Sequence, residues 1–193
     1  MKKYEYFKKE LNYIKNERIK NSCQAMIELL PDYFFLIPAS STGKYHPEFS
    51  LGDSGLVRHV KAAVKIAKDL LDNPCIGGKY TSDEKDLMLM TLILHDGLKS
   101  GLNHNKYTQF NHPTLIKNYI IENKDKLELT EDEIKFIGKA IEAHMGPWNK
   151  DYNGEEVLPV PKTKYENFVH MCDYLASRKY LNIKFNDNDD IIE

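Results

Sequence analysis

The sequence predicts an all-α domain, and three observations carry that reading. Apolar residues recur at the i, i+3/i+4, i+7 spacing of one helix face over 55–71 and 130–145. Residues that open and close helices stand at the ends of these runs. No segment of useful length alternates apolar with polar, as a half-buried strand does. The 193 residues suit one domain, 1–193, long enough to bury a core without disulfides.

Residues 3–20 mix Tyr6, Phe7, Leu11, Tyr13 and Ile14 with many lysines and give a loose helical stripe. Residues 24–30 read as a short helix stopped near Pro31. Residues 32–54 hold Pro38, Gly43, Pro47 and Gly52 and lack a period; this is a long loop, and such loops in compact domains often carry function. The clearest helix is 55–71, with Leu56, Val60, Ala63, Val64, Ala67, Leu70 and Leu71 on one face. Pro74 and Gly77-Gly78 close it. A second helix, 83–95, opens on Ser82 as its N-cap, with Asp83 and Glu84 in the first turn. From Leu87 to Leu94 it is apolar nearly all round, the mark of a central, buried helix. Residues 97–111 form a Gly- and Asn-rich loop, and Pro113 suits the first turn of a third helix, 113–123. Thr130 and Glu133 make a capping box for a fourth, 130–145, which Gly146-Pro147 ends. After a loop over 147–161, a last helix over 163–181 carries Phe168, Val169, Cys172, Leu175 and Ala176. The polar terminus from Asn186 is expected to fray. The expected layout is N-terminal helices and loop (1–49), a core (50–181) and a tail (182–193).

Composition excludes several classes. Net charge is −2, from 27 basic and 29 acidic residues, so the chain is neither a strongly basic nucleic-acid-coating protein nor an acidic disordered one. Cys23, Cys75 and Cys172 are far apart and form no CxxC, which argues against a disulfide framework or a zinc ribbon and for a reducing compartment. No run of about 18 apolar residues occurs, and the basic start never reaches a secretory apolar region. The expectation is a cytoplasmic protein with no membrane partner.

Polar residues break the apolar faces at His59, His95-Asp96, His144 and Asp173. Singly, an inward His is most often a hydrogen-bonded core residue, and an inward Asp a cap or ion-pair partner. Jointly, four helices direct imidazoles and carboxylates inward, and burying an unpaired carboxylate is costly. Nitrogen and oxygen donors of this kind suit Zn, Mn, Fe or Mg, and bundle cores are places where facing helices assemble such sites.

The order His59, His95-Asp96, Asp173 resembles the H…HD…D signature of the HD-domain metal-dependent phosphohydrolases, over roughly 50–181. GLVRHVKAAVKIAKDLL (55–71) resembles the first helix of that family, LILHDGLKSG (92–101) its HDxxK turn, and HMCDYLASRKYL (170–181) the helix supplying the last Asp. His112 and His144 fall where binuclear members, such as the HD domain of bacterial 3′–5′ exoribonucleases, place ligands for a second metal. Gly97-Leu98 departs from the family's usual Ile-Gly, and the Gly-Tyr-Pro motif of the cyclic-di-nucleotide phosphodiesterases is missing. The whole resembles a small stand-alone HD hydrolase.

The resemblance implies an HD-like helical bundle with a metal site in its core. His59, His95, Asp96 and Asp173 would hold one divalent ion; Asp96 would bridge to a second, with His112 and His144. The ions would be drawn from Mn, Fe, Zn, Co, Ni or Mg. Asp96 and Lys99 would be the catalytic residues, hydrolysing a phosphate ester or anhydride of a nucleotide or short oligonucleotide with a metal-activated water. His112 could instead cap the helix it opens. Lys99 either neutralises a phosphoryl oxygen or is a solvated loop lysine. Lys44 in SSTGK could grip phosphate, although the segment is no P-loop. Arg58 either faces a phosphate or pairs with an acid, and Trp148 either stacks a base or packs on the bundle. His170 reads as packing or support for the ligands, and His46 and His104 as solvated loop residues. The competing functions are a 3′–5′ exonuclease on single strands and a non-catalytic nucleotide sensor. Near-neutral charge argues against long nucleic acid; a homo-oligomer is compatible with the same reading.

Overall fold

The computed structural model describes every residue except Met1, Ser41, Lys44, Tyr45, Tyr152, Asn182 and Glu193. The chain is all-α. Its helices are α1 (Lys8–Leu11), α2 (Glu17–Leu29), α3 (Gly55–Asp72), α4 (Pro74–Gly77), α5 (Ser82–Leu94), α6 (His112–Glu122), α7 (Glu131–Glu142) and α8 (Lys164–Ala176). Short 3-10 turns lie at Lys3–Phe7, Asp32–Phe35, Glu48–Ser50 and Lys124–Lys126. Among the described residues the only β pairing is two isolated bridges, Lys150 to Glu156 and Phe185 to Ile191.

The order of burial follows the sequence pattern. Every residue of α5 from Asp86 to Leu94 is buried, so this helix has no solvent face. It is the hub: α2, α3, α7 and α8 all pack against it, α3 lies along α8, and α6 along α7. The site-bearing ends converge because α5 is shared. Its C-terminus delivers His95 and Asp96 to the level where α3 carries His59 and α8 carries Asp173.

Boundaries differ from expectation where side chains decide them. The N-cap of α5 is Thr81, not Ser82. The Thr81 hydroxyl accepts from Glu84 N–H (3.2 Å) while the Glu84 carboxylate accepts from Thr81 N–H (2.8 Å), a full capping box. Over 3–30 the chain forms a 3-10 turn, the short α1 and then α2, which begins at Glu17 rather than 24; Asn16 caps α2 by accepting from Arg18 N–H (3.1 Å). The last helix ends at Ala176, not 181. The fourth ends at Glu142, so His144 lies in the turn beyond it, its N–H bonded to the Ile141 carbonyl (3.2 Å). The C-terminal segment does not fray: Asp189 pairs with Arg58, Asp190 with Lys61 (3.1 Å), and Phe185 packs on Phe49 (centroids 5.3 Å).

Arg18 joins α2 to α7. Its guanidinium holds both oxygens of Glu133, at 2.7 and 2.6 Å, and Glu133 also closes the Thr130 capping box. Hydrogen bonds from Arg18 hold the Glu133 carboxyl down at about 2, against an ordinary 4.5. A carboxyl depressed on folding stabilises fully above its unfolded value and loses that contribution as pH falls through its folded one. Glu133→Gln should therefore lower the neutral-pH melting temperature by about 2–4 °C, the equivalent of about 1 kcal/mol for a partly exposed pair. Melting curves of both proteins should converge as pH falls from 4.5 toward about 2. A constant gap down to the lower value would contradict the assignment.

Candidate metal centre

Four helix ends and two turns bring the inward polar residues together. His59 comes from the second turn of α3, His95 caps α5, Asp96 follows it, His112 opens α6, His144 follows α7, and Asp173 sits in α8. All but Asp173, which is partly buried, are shielded from solvent.

The donor atoms form two clusters about Asp96. Oδ2 of Asp96 lies 3.5 Å from His95 Nε2 and 3.8 Å from His59 Nε2. Asp173 Oδ1 completes this side, 2.9 Å from His59 Nε2 and 3.3 Å from His95 Nε2. On the other side Asp96 Oδ1 lies 3.0 Å from His112 Nε2 and 3.8 Å from His144 Nε2, with those two nitrogens 3.4 Å apart. An ion bound at about 2.1 Å puts neighbouring ligands about 3.0 Å apart in an octahedron and about 3.4 Å in a tetrahedron. The observed separations fall around these edges. Donors within 4.8 Å of one another include His59–His95–Asp173 and His95–Asp96–His144, so His95 borders both clusters.

Hydrogen bonding fixes which ring nitrogens face inward. Nδ1–H of His95 donates to the Leu92 carbonyl (2.6 Å), that of His112 to Gln109 (2.8 Å) and that of His144 to Ile141 (2.7 Å). With the Nδ1 proton held in this way, such a ring in its neutral form turns a bare Nε2 lone pair toward the carboxylates, the arrangement that metal-binding histidines use. His95 Nε2 and Asp96 Oδ1 are buried without a hydrogen-bond partner. Lone pairs facing lone pairs at 3.0–3.3 Å repel unless a cation or proton stands between them. These groups can hold a metal ion, and the orphaned atoms are the fit.

Charge in the cluster points the same way. Burial pushes the Asp96 carboxyl up, but Lys99, His95 and His112 outweigh it and hold the group well below the usual range. For Asp173 burial is likewise outweighed, by His59 and His95 beside it, and the carboxyl is held well below its usual range. Burial, then the neighbouring His95, pushes His144 down to about 3. The carboxylates stay ionised, and His144 stays a neutral donor. Lys99 Nζ sits on Asp96 Oδ2 at 2.5 Å and lines the adjoining pocket, so it is not a solvated loop lysine.

Support for the ligands is built in. His170 is no ligand; its Nδ1–H donates to the His144 carbonyl (2.7 Å) and fixes the turn after α7. Gly146 lets the ring approach: its φ is +60°, and a Cβ there would fall 2.2 Å from His170 Cε1. His112 is not a cap, since it lies inside α6 as its first residue and the preceding Asn111 makes no side-chain cap bond.

A pocket of about 650 Å³ opens onto the cluster and is also lined by His46, Thr108, Trp148, Tyr174, Ser177 and Arg178. Arg58 is not among them. It takes the pairing alternative, with Asp189 and the carbonyls of Phe49 and Leu51 occupying its guanidinium. Lys44 lies outside the described residues. Trp148 stands at the pocket, half exposed, stacked on Tyr174. His46 is not solvated: its ring stands edge-on to His59 (centroids 5.4 Å), and burial, His59 and Lys99 push it down to about 3. His104 stacks on Tyr33 (4.5 Å, 12°). Sequence reasoning missed Tyr174, Ser177 and Arg178, although Ser177 lies one helical turn past Asp173, the signal of a shared face. His46 sits in aperiodic chain and gave no such signal.

No family model matches the chain, and neither a curated protein nor a solved structure matches it.

Gly146→Ala tests the supporting shell. A side chain at positive φ and a collision with His170 should together cost about 2–3 kcal/mol, seen as a melting temperature lower by roughly 4–12 °C. Metal affinity, measured by calorimetric titration, should fall roughly 10–100-fold as His144 loses its support. An unchanged affinity would mean that His170 does not position the cluster.

Proposed function

We propose that this protein is a metal-dependent phosphohydrolase of the HD-domain type, acting on a nucleotide or short oligonucleotide. The observation that carries the reading is Asp96. Its two oxygens face separate groups of imidazole nitrogens, with an ammonium beside them and a pocket in front. Asp96 Oδ2, His59, His95 and Asp173 would hold one divalent ion, and Asp96 Oδ1, His112 and His144 a second. When bound, such ions lower the pKa of water and polarise a phosphoryl oxygen.

The remaining roles belong to the chain itself. Lys99 supplies a fixed positive charge at the pocket floor, where it can neutralise a phosphoryl oxygen as charge develops there. Leu92, Gln109 and Ile141 carbonyls orient three imidazoles through Nδ1, so that Nε2 of each is the atom presented to an ion. The burial of His59, His95, Asp96, His112 and His144 strengthens each of these interactions. A pocket of about 650 Å³ suits a small molecule rather than a long strand, and a net charge of −2 supports the same choice.

Two variants test this. Purified protein with Mn²⁺, Co²⁺ or Mg²⁺ should hydrolyse a generic diester such as bis-p-nitrophenyl phosphate, and Asp96→Ala should lower the rate by roughly 10³-fold or more while far-ultraviolet circular dichroism stays helical. Rates near wild type would place the chemistry elsewhere. His144→Ala should reduce bound metal from about two equivalents to about one, measured by atomic emission. If His144 were only a core residue, the same change would leave metal content alone and cost a few kcal/mol through the cavity.

A further inference from the structure

One wall of the pocket has a composition that metal binding does not explain. Its arginine stands apart from the other two in the chain. Arg18 is paired with Glu133 and Arg58 with Asp189, whereas Arg178 has no carboxylate within 4.0 Å among the described residues. Its Nε and Nη2 donate to the Ser177 hydroxyl (3.2 and 2.7 Å), and Nε also to the Tyr174 carbonyl (3.2 Å). These bonds fix the guanidinium without neutralising it, and Nη1 makes none. The group lies over the Tyr174 ring, 4.1 Å from its centroid, and lines the pocket that holds Asp96 and Lys99. A partly desolvated, uncompensated guanidinium beside a ring is a prepared anion site.

The second observation is Trp148, the single tryptophan of the chain. It is 51% exposed, in a protein that buries most of its large apolar groups. It lies parallel to Tyr174, centroids 5.7 Å apart and planes 14° apart. Its position is set by the next residue: buried Asn149 donates from Nδ2 to the Leu158 carbonyl (3.0 Å) and accepts from Val157 N–H (2.9 Å). A fixed aromatic plate, one side supported and half its surface in water, is what a nucleobase stacks upon.

We infer that this wall is a nucleoside-phosphate subsite: Trp148 stacks the base, and Arg178 binds an oxygen of the phosphate that leads into the metal cluster. The last clause rests on the phosphohydrolase reading; the subsite itself does not. Stacking uses the π-face common to all bases, so discrimination should be for a base plus a phosphate rather than for one base.

The lone tryptophan makes the test direct. In chelator-treated protein, adenosine 5′-monophosphate should quench its fluorescence saturably, and ribose 5-phosphate should not. Arg178→Ala should weaken adenosine 5′-monophosphate at least tenfold and leave adenosine unchanged. Trp148→Leu, followed by calorimetry, should bind adenosine 5′-monophosphate no more tightly than ribose 5-phosphate. A 5′-phosphorylated trinucleotide in parallel separates the two sources of this chemistry, since the tighter ligand assigns a strand end or a free nucleotide. No saturable quenching, equal quenching by ribose 5-phosphate, or an unchanged affinity in Arg178→Ala would overturn the subsite. Bis-p-nitrophenyl phosphate turnover with Mn²⁺ on the same preparation keeps the two readings apart. Turnover without quenching would retire the subsite and leave the hydrolase; quenching without turnover would do the reverse.

Discussion

Asp96 is a buried carboxylate, placed where the backbone is least hospitable to it. It follows the C-terminus of α5, the negative end of the helix dipole. Removing such a charge from solvent costs several kcal/mol unless positive charge replaces the lost hydration. Lys99 supplies part of that charge on Oδ2. Around the rest stand imidazoles that backbone carbonyls hold by Nδ1, so that Nε2 faces inward. A cation between these donors would balance the cluster, and the groups are close enough to hold one.

The fold brings these groups together by making α5 the common neighbour. A helix apolar on every side can be surrounded, and what emerges at its end meets residues from each surrounding helix. The turns carry the rest. Tyr33 accepts from Ser100 N–H (3.2 Å) and donates to the Gly101 carbonyl (2.7 Å), pinning the turn that holds Lys99. Arg58 and Lys61 fasten the C-terminal segment to α3, behind His59. These ties surround a small volume in which carboxylates and imidazoles crowd together.

Much of this was legible in the sequence, for reasons that also set the limit. His59, Asp173 and the His95-Asp96 pair stand on or at the end of periodic apolar faces, where a polar residue shows as an exception. His144 stands out in the same way, three residues past Ile141 on the apolar stripe of its helix. His112 opens a helix, where periodicity is weak; family resemblance, not pattern, pointed to it. The α5 cap shows a rule applied one residue late, since Thr81 and not Ser82 stands three before Glu84. His46 and the partner of Arg58 were beyond reach. One lies in aperiodic chain, and the other depends on Asp189, 131 residues away. Nothing in the sequence singles out Arg178; its lack of an acidic partner among the described residues is a tertiary fact.

The central claim is that the Asp96 cluster is incomplete without divalent cations, and thermal stability with and without them tests it most directly. A ligand that binds only the folded state adds about 2.7 kcal/mol at one hundred times its dissociation constant. For a chain of this length that is a rise of roughly 5–10 °C in melting temperature. Chelator-treated protein should show this rise with Mn²⁺ and lose it in Asp96→Asn, whose neutral amide cannot hold two cations. A melting temperature indifferent to Mn²⁺, Zn²⁺, Co²⁺ and Mg²⁺ would contradict the account.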